Sequence, residues 1–434
     1  MEEKEKIATS KALDLVSTFS NSFLRMSYTV HPSGLPGEAQ GKSSNESWAA
    51  KQACHDHPAV AQKRDTVITV MDADTHLSSR YFAQISKSRR VHSDRSPTTI
   101  YMPPIVFDRN LHRTPLLVRI ADVMWASAGI SSMYYGSNVC IPTSVYSLPM
   151  TLVEHVQGWD CDPGAIGEDL HMFLKCFLAL SGNLRMQVIY AAASQCNVSS
   201  QYSGLRGYAG GLLARYQQAV RHMWGALDTG YAIRQAFLML SRSRRRARSC
   251  EDRDNSLSAR KVHAWLQQTF GEPSTAPSDF IADTINWYNI TLMFFRLYEA
   301  HFMPLHLSLI LTTSTCYSLL YPRFLMPGIM RLALDISAWC RFLGFCSMLF
   351  GYSQYEHYHR RCVGLRQEEM RKAGLLERMV EQNSFSPNVF MYVGILEAAV
   401  FAIGGFLYGA IPALQAEFSH VFTTRLTYVV SLKP

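Results

Sequence analysis

Asp72 and Asp74 stand one residue apart at the end of an apolar run, 67–75, Val-Ile-Thr-Val-Met-Asp-Ala-Asp-Thr. Two carboxylates so spaced can face one hard cation when the segment is extended or tightly turned. Mg2+ and Mn2+ take oxygen ligands, commonly one or two carboxylates together with phosphate oxygens. The β-branched run, introduced by Asp65 and Thr66, predicts a buried parallel strand. Open α/β sheets bind ligands beyond the carboxyl ends of such strands. Asp and Thr after a strand also make turns and helix caps. These residues alone therefore leave metal ligation and a plain turn both open.

The elements that must position this pair alternate along the chain. Helices are predicted over 2–25, 43–53, 81–88, 113–130, 151–157 and 170–180. Leu13, Val16, Phe19 and Phe23 make the apolar face of the first, and Leu116, Ile120 and Val123 that of the fourth. Strands are predicted over 26–30, the anchor run, 98–107 with a break at Pro103-Pro104, 145–148 and 184–190. A Gly- and Pro-rich loop fills 32–42. Strands alternating with helices give an α/β domain. Glu168-Asp169 falls just before the first turn of the 170–180 helix, where an acidic residue caps by position alone.

Composition bounds the rest. The chain has 434 residues, 48% hydrophobic and only 18% charged, low for a wholly soluble protein. Its net charge of +8 is concentrated in Ser-Arg-Ser-Arg-Arg-Arg-Ala-Arg, 241–248, read as a solvated loop or one facing anionic lipid. No nucleic-acid-binding motif accompanies that run, so nucleic acid is not an expected partner. Ten cysteines without paired spacing argue for reduced thiols and against disulfides or zinc. His55, His57, His76 and His92 show no ligand spacing. The charged start, without an apolar stretch behind it, does not read as a signal peptide.

Three apolar segments, 303–321, 329–351 and 389–413, are each long enough to cross a bilayer. Arg331, Asp335, Arg341 and Glu397 interrupt them and should face other helices or a polar path. The alternative is buried core helices of a large soluble domain. Residues 280–300, with Trp287, Tyr288, Phe294, Phe295, Arg296 and Glu299, read as an interfacial helix, or else as a fourth span. The loop 352–388 carries Arg360, Arg361, Arg366, Arg371, Lys372 and Arg378, whereas the loop between the first two segments carries only Arg323. The positive-inside rule then places the long loop and the α/β domain in the cytoplasm of a multi-pass membrane protein.

In this order the features resemble the membrane-integrated family 2 glycosyltransferases, the cellulose, chitin and hyaluronan synthase-like group, in a fungal branch. Gly41-Lys42-Ser43-Ser44-Asn45 is similar to the family's Gly-Lys segment, Asp72-Ala73-Asp74 to its Asp-x-Asp motif, and Glu168-Asp169 to its Glu-Asp motif. Gln218-Ala219-Val220-Arg221 is similar to the start of its Gln-x-x-Arg-Trp motif. The resemblance covers residues 1–230 by motif and the remainder by architecture. It implies a GT-A-like, Rossmann-like α/β nucleotide-diphospho-sugar transferase domain over 1–240, followed by a basic linker, 241–279. An interfacial helix, 280–301, and a transmembrane region with about three helices, 302–434, complete the expected order.

What the resemblance implies chemically is an inverting transfer of a sugar from a nucleotide-sugar, foremost a UDP-sugar, to a polysaccharide, lipid or other acceptor. Asp72 and Asp74 would hold Mg2+ or Mn2+, and Asp169, with Glu168 beside it, would be the catalytic base. Lys42, Gln218 and Arg221 would bind the diphosphate; otherwise Arg221 is an ordinary charge on a helix surface and Lys42 a solvated loop residue. Trp159, His222 and Trp224 would meet the acceptor, with a buried core role the alternative for Trp159. Membrane lipids are the remaining expected partner.

Two departures stand out. Arg221 is followed by His222, and Trp224 lies two residues on, about 200° round a helix. The family's domain opens with a strand and a base-recognising Asp, and Met1 falls after the expected place of that strand. These departures motivate a second hypothesis, an inactive homologue serving as a membrane scaffold or regulatory partner. A third, a transporter or channel, is motivated only by the charges in the apolar segments.

Overall fold

The computed structural model describes residues 3, 7–39, 41–56, 66–165, 167–200, 202, 204–251, 284–382, 384–386, 393–424 and 426. Helix α1 (Ala8–Phe19) is followed by α2 (Lys42–Asp56), β1 (Val67–Val70), β2 (His76–Leu77) and α3 (Ser79–Val91). Then come β3 (Thr99–Met102), β4 (Ile105–Phe107), α4 (Leu116–Ser131), β5 (Tyr146–Pro149), α5 (Met150–His155), α6 (Glu168–Ala179), β6 (Arg185–Val188) and β7 (Ala193–Gln195). The remainder is helical: α7 (Gly204–Met223), α8 (Ala226–Glu251), α9 (Trp287–Leu297), α10 (Met303–Leu320) and α11 (Gly328–Lys372). Last are α12 (Leu376–Glu381), α13 (Val393–Gly405) and α14 (Ile411–His420).

The strands form two sheets. One has the order β1-β5-β3-β6, the other β2-β7-β4. Pro103-Pro104 cannot donate to a ladder, and the chain uses that break to pass from β3 in the first sheet to β4 in the second. The expected single strand over 98–107 is therefore two. β1 pairs only antiparallel, Val67 opposite Pro149 and Val70 opposite Tyr146, and is an edge of its sheet among the described residues. The buried parallel strand expected there is instead a half-buried antiparallel one.

The first sheet packs its Ile100, Tyr146 and Leu148 against Phe173, Leu174 and Phe177 of α6. The second core joins Ile105, Val106 and Phe107 to Ile120, Val123 and Ala126 of α4. Tyr352, Tyr355 and Cys362 of α11 and Phe401 of α13 belong to that same core. The C-terminal helices thus share a core with the small sheet, rather than hanging from the domain by a linker.

Several expectations change. Of the helix expected over 2–25, residues 2 and 4–6 lie outside the described residues; the remainder gives α1 and a 3-10 turn at Ser20–Ser22, with Ala8 and Ala12 buried and Leu13, Phe19 and Phe23 exposed. Its large apolar residues find no covering surface among the described residues. Residues 26–30, expected as a strand, form no strand. The basic run 241–248 continues α8, which ends at Glu251, instead of forming a loop, and the linker over 252–279 lies outside the described residues. The loop expected over 352–388 is mostly helix, because α11 runs unbroken for 45 residues. Tyr352, Tyr355, His359, Cys362 and Arg366 recur at three- and four-residue spacing, and that stripe docks the helix's second half.

Two helices are long and apolar enough to cross a membrane, by length and composition: Gly328–Lys372 and 400–420. The first half of α11 presents Ile329, Trp339 and Phe350 outward, and α10 presents Leu309, Ile310 and Leu319. Two polar contacts tie this hairpin together: Arg341 Nη1 of α11 donates to Ser314 Oγ of α10 at 3.1 Å, and Arg323, in the turn between them, pairs with Asp335 of α11. Segment 303–321 becomes α10, 18 residues and about 27 Å long, and the interfacial helix becomes α9 with one π turn leading into α10.

Candidate active site

β1 ends in a turn in which Thr75 N–H donates to Asp72 C=O at 3.0 Å. The turn reading and the ligand reading are thus compatible, since the turn leaves both carboxylates on one short loop. Asp74 Oδ2 accepts from Cys196 N–H at 3.0 Å, and Asp74 C=O accepts from the Arg109 guanidinium. Gln195 Nε2, next to Cys196, donates to Thr75 Oγ at 3.2 Å. The loop is therefore pinned by β7 and by the residues after β4.

Gly41, at φ 145°, takes a backbone conformation that side chains rarely adopt, and starts α2 with Lys42 turned inward. Lys42 Nζ lies 2.9 Å from Glu168 Oε2, 3.3 Å from Asp72 Oδ1 and 3.6 Å from Glu46 Oε1. It also donates to Ser144 C=O at 3.0 Å. Burial by itself would lower its pKa, but the surrounding carboxylates, Glu168 foremost, raise it well above the usual lysine value. One ammonium thus joins the Asp-x-Asp loop to the acidic pair.

Glu168 and Asp169 are the first two residues of α6, where the helix N-terminus favours negative charge. Glu168 is 4% exposed. Its Oε1 accepts from Tyr146 O–H, whose oxygen accepts from Trp159 Nε1–H at 2.7 Å. Asp169 Oδ2 accepts from Ser144 N–H at 2.7 Å, and Oδ1 from Leu170 N–H at 2.9 Å. Desolvation, with the Glu168 charge adding to it, raises the Asp169 pKa above the ordinary carboxylate value. A base benefits from a pKa raised toward the working pH.

His171 anchors the same helix. Its Nδ1 is 2.6 Å from Asp228 Oδ1 at the start of α8, and its Nε2 is 3.0 Å from Asp160 Oδ2. Lys175 Nζ also bonds Asp160 and donates to Gly158 C=O at 2.9 Å. Burial opposes a charged imidazole, but the two carboxylates outweigh it and raise His171 to about 9. The His171 bond lowers Asp160 to about 2, while burial raises Asp228 to about 6. At neutral pH the cluster holds an imidazolium between two carboxylates.

Gln218 and Arg221 lie half-buried on α7, shortly before the Gly225–Asp228 turn that reaches His171. His222 stacks on Trp125 of α4 at 5.2 Å. Trp224 is 4% exposed and packs with Val220 and Ala416, edge-on to His420. Trp159 is 5% exposed and sits in the main core. Both indoles are thus buried in this arrangement.

The structure brings Lys42, Asp72, Glu168 and Asp169 together around Ser144. It adds Glu46, Tyr146, His171, Asp160 and Asp228, which the motifs did not single out. Glu46 carried a signal, since it stands four residues after Lys42 on one helix face. Burial, and then the Glu168 charge, raises its carboxyl well above the ordinary value.

Among the described residues no group of three or more His, Cys, Asp or Glu could hold a metal ion unaided. Asp72 and Asp74 supply the hard oxygens that Mg2+ or Mn2+ accepts when phosphate completes the shell. The donor set fits such a cation with a diphosphate.

Comparison with curated proteins and with solved structures returns no match. A family profile, Glycosyl transferase family group 2, matches residues 67–351, from β1 through the outward-facing half of α11. The match takes in both acidic motifs and more than half of the 434 residues. The chain therefore belongs to glycosyltransferase family 2, enzymes that transfer a sugar from a nucleotide-sugar donor.

Proposed function

We propose that this glycosyltransferase is an inverting, membrane-bound enzyme that takes its sugar from a UDP-sugar and passes it to a polysaccharide, lipid or other acceptor. The observation that carries the reading is the meeting of Asp72, Lys42 and Glu168 within 3.3 Å, with Asp169 on the next residue. A catalytic domain of GT-A type over 1–240 and a membrane region over 302–434 complete the proposal. The outward apolar faces of α10 and α11 support the second part.

In this reading Asp72 and Asp74 would hold Mg2+ or Mn2+. When bound, the cation neutralises charge on the leaving group. Lys42 and Arg221 add fixed positive charge to the donor diphosphate. Asp169 accepts the proton of the acceptor hydroxyl. The acceptor oxygen bonds the anomeric carbon as the carbon–phosphate oxygen bond breaks, and that electron pair leaves with the diphosphate. Attack opposite the leaving group inverts the carbon. Tyr146 and Lys42 hold Glu168, so the start of α6 does not drift while Asp169 works.

The test is Mn2+-dependent turnover of a panel of nucleotide-sugars by the purified full chain in detergent. Turnover that disappears in Asp169→Asn supports the reading. A scaffold without catalysis is the second reading, favoured by the Lys42 ammonium already neutralising Asp72 and Glu168. Donor binding with no turnover of any donor would favour it instead.

A further inference from the structure

We infer that the second half of α11 is a built part of the donor site, with Arg366 and Glu369 as positioning residues for the Asp72–Asp74 loop. The inference rests on the proposed role of that loop in holding the cation and diphosphate.

Three observations carry it. First, Arg366 is 5% exposed, and its Nη1 lies 3.2 Å from Asp108 Oδ1 while its Nη2 donates to Asp108 C=O at 3.2 Å. Its guanidinium also stacks over Phe385 at 4.4 Å. A planar, bidentate fork of this kind fixes direction as well as charge. Second, the residue after Asp108 is Arg109, which donates to Asp74 C=O, while its own N–H donates to Gln195 C=O at 3.3 Å. Ser194 Oγ donates to Asp108 Oδ2 at 3.4 Å. Displacing Arg366 therefore moves Asp108-Arg109, and Arg109 holds the backbone of Asp74 itself. Third, Ser78 Oγ, four residues beyond Asp74, donates to Glu369 Oε1 at 2.6 Å. Ser78 is the N-cap of α3. Residues 74–78 are thus held by α11 directly at Ser78 and, through Asp108-Arg109, at Asp74.

That helix is continuous with the segment long and apolar enough to cross a membrane. An unbroken α-helix is stiff over this length, so a tilt of the apolar half is carried to Arg366 and Glu369 without a hinge. The helix then does more than anchor the enzyme. It sets the position of the two carboxylates, and any acceptor or partner that moves the apolar half moves the loop.

The experiment measures Mn2+ binding in the presence of UDP, from the loss of the free Mn2+ signal in electron paramagnetic resonance, on the full chain in detergent. Melting temperature is recorded alongside. Glu369→Ala should weaken Mn2+ binding about tenfold, the usual scale for losing a group that orients a metal ligand. Glu369→Gln keeps an acceptor oxygen for Ser78 and should restore it. Arg366→Lys loses the bidentate fork and should also weaken binding; if it fails to fold, the Glu369 pair decides. Asp74→Ala is the control. If it abolishes Mn2+ binding while Glu369→Ala binds as the parent does, the positioning role is wrong and the metal role of the loop stands. If Glu369→Ala weakens binding only in proportion to a lowered melting temperature, the positioning role is also wrong. Unchanged binding in Asp74→Ala would remove the metal role, and the inference with it.

Discussion

Lys42 Nζ lies 2.9 Å from Glu168 Oε2, across a gap that also admits Asp72 and Glu46. Three carboxylates are held close together by one cation, and two of them, Glu168 and Glu46, belong to helices far apart in sequence. A cation held this way keeps the acidic loops together before any ligand arrives. A bound divalent ion and a diphosphate would redistribute the same charges.

Lys42→Met should therefore destabilise the fold as well as impair donor binding. Removing one partner of a buried ion pair costs about 3–5 kcal/mol. About 3 kcal/mol is expected, because 26% of the Lys42 side chain is exposed whereas only 3% of Glu168 is. The loss should shrink below about pH 5, where carboxyls lacking a partner protonate. Thermal melting of parent and variant from pH 4 to 8, and UDP affinity at pH 7, measure the two effects. Equal melting across that range would show that Lys42 does not hold the carboxylates together.

The His171 cluster gives a second, independent pH dependence. His171 has a folded pKa of about 9, raised from 6.5. A raised pKa contributes stability that is full below 6.5 and is lost as pH rises through 9. Asp160, lowered to about 2, works the other way, and its contribution disappears only as pH falls through 2. Asp228, at about 6, is already ionised over the His171 window. The melting temperature should fall between pH 6.5 and 9, by an amount matching a few kcal/mol. His171→Asn should melt lower at pH 6.5 and lose most of that slope. A parent protein with a flat profile over this window would rule out the charged cluster.

The two turns that end α11 give a topology test. Gly374, at φ 68°, follows the half of the helix that docks on the α/β domain. Arg323–Leu325 precedes the outward-facing half and is exposed. A tag after Gly374 should share the side of the catalytic domain, and a tag after Phe324 should lie on the other side. Protease protection in sealed vesicles reads both. The same accessibility for both tags would show that α10 and α11 do not cross.

The sequence made some of this visible and hid the rest for physical reasons. Asp72-Ala73-Asp74 was legible because a strand run stops there, and Glu168-Asp169 because a helix begins there. The alternation of strands and helices followed from local periodicity. The partners of Lys42 were not legible, since Ser144 lies 102 residues away and only the fold brings it near. The same holds for His171 and Asp228, 57 residues apart. Trp159 read as a sugar-stacking platform or as core, because a buried and an exposed indole look alike in one sequence. The charges over 352–388 suggested a loop, whereas a buried stripe from Tyr352 to Arg366 continues the helix as far as Lys372.

Asp169 offers the sharpest separation of structure from chemistry. Its carboxylate accepts two backbone N–H bonds, from Ser144 and Leu170. An amide in its place can accept through its oxygen, and Asn serves at helix starts about as well as Asp. Asp169→Asn should therefore keep its melting temperature to within a few degrees, losing about 1 kcal/mol where the second acceptor becomes an amide donor facing an N–H. Donor affinity should survive, because Asp72, Asp74 and Lys42 are untouched. Transfer should fall at least about a hundredfold, since Asn cannot take the acceptor proton. The raised pKa of Asp169 adds a second signature. The parent rate should climb with pH as the carboxyl ionises, above the ordinary carboxylate range, and the residual rate of Asp169→Asn should lack that limb. Nucleotide-sugar affinity, transfer rate and its pH profile, measured on the same two proteins, read all three. A variant that binds donor and transfers at the parent rate, with the same acidic limb, would leave Asp169 a helix-start residue and move the base elsewhere.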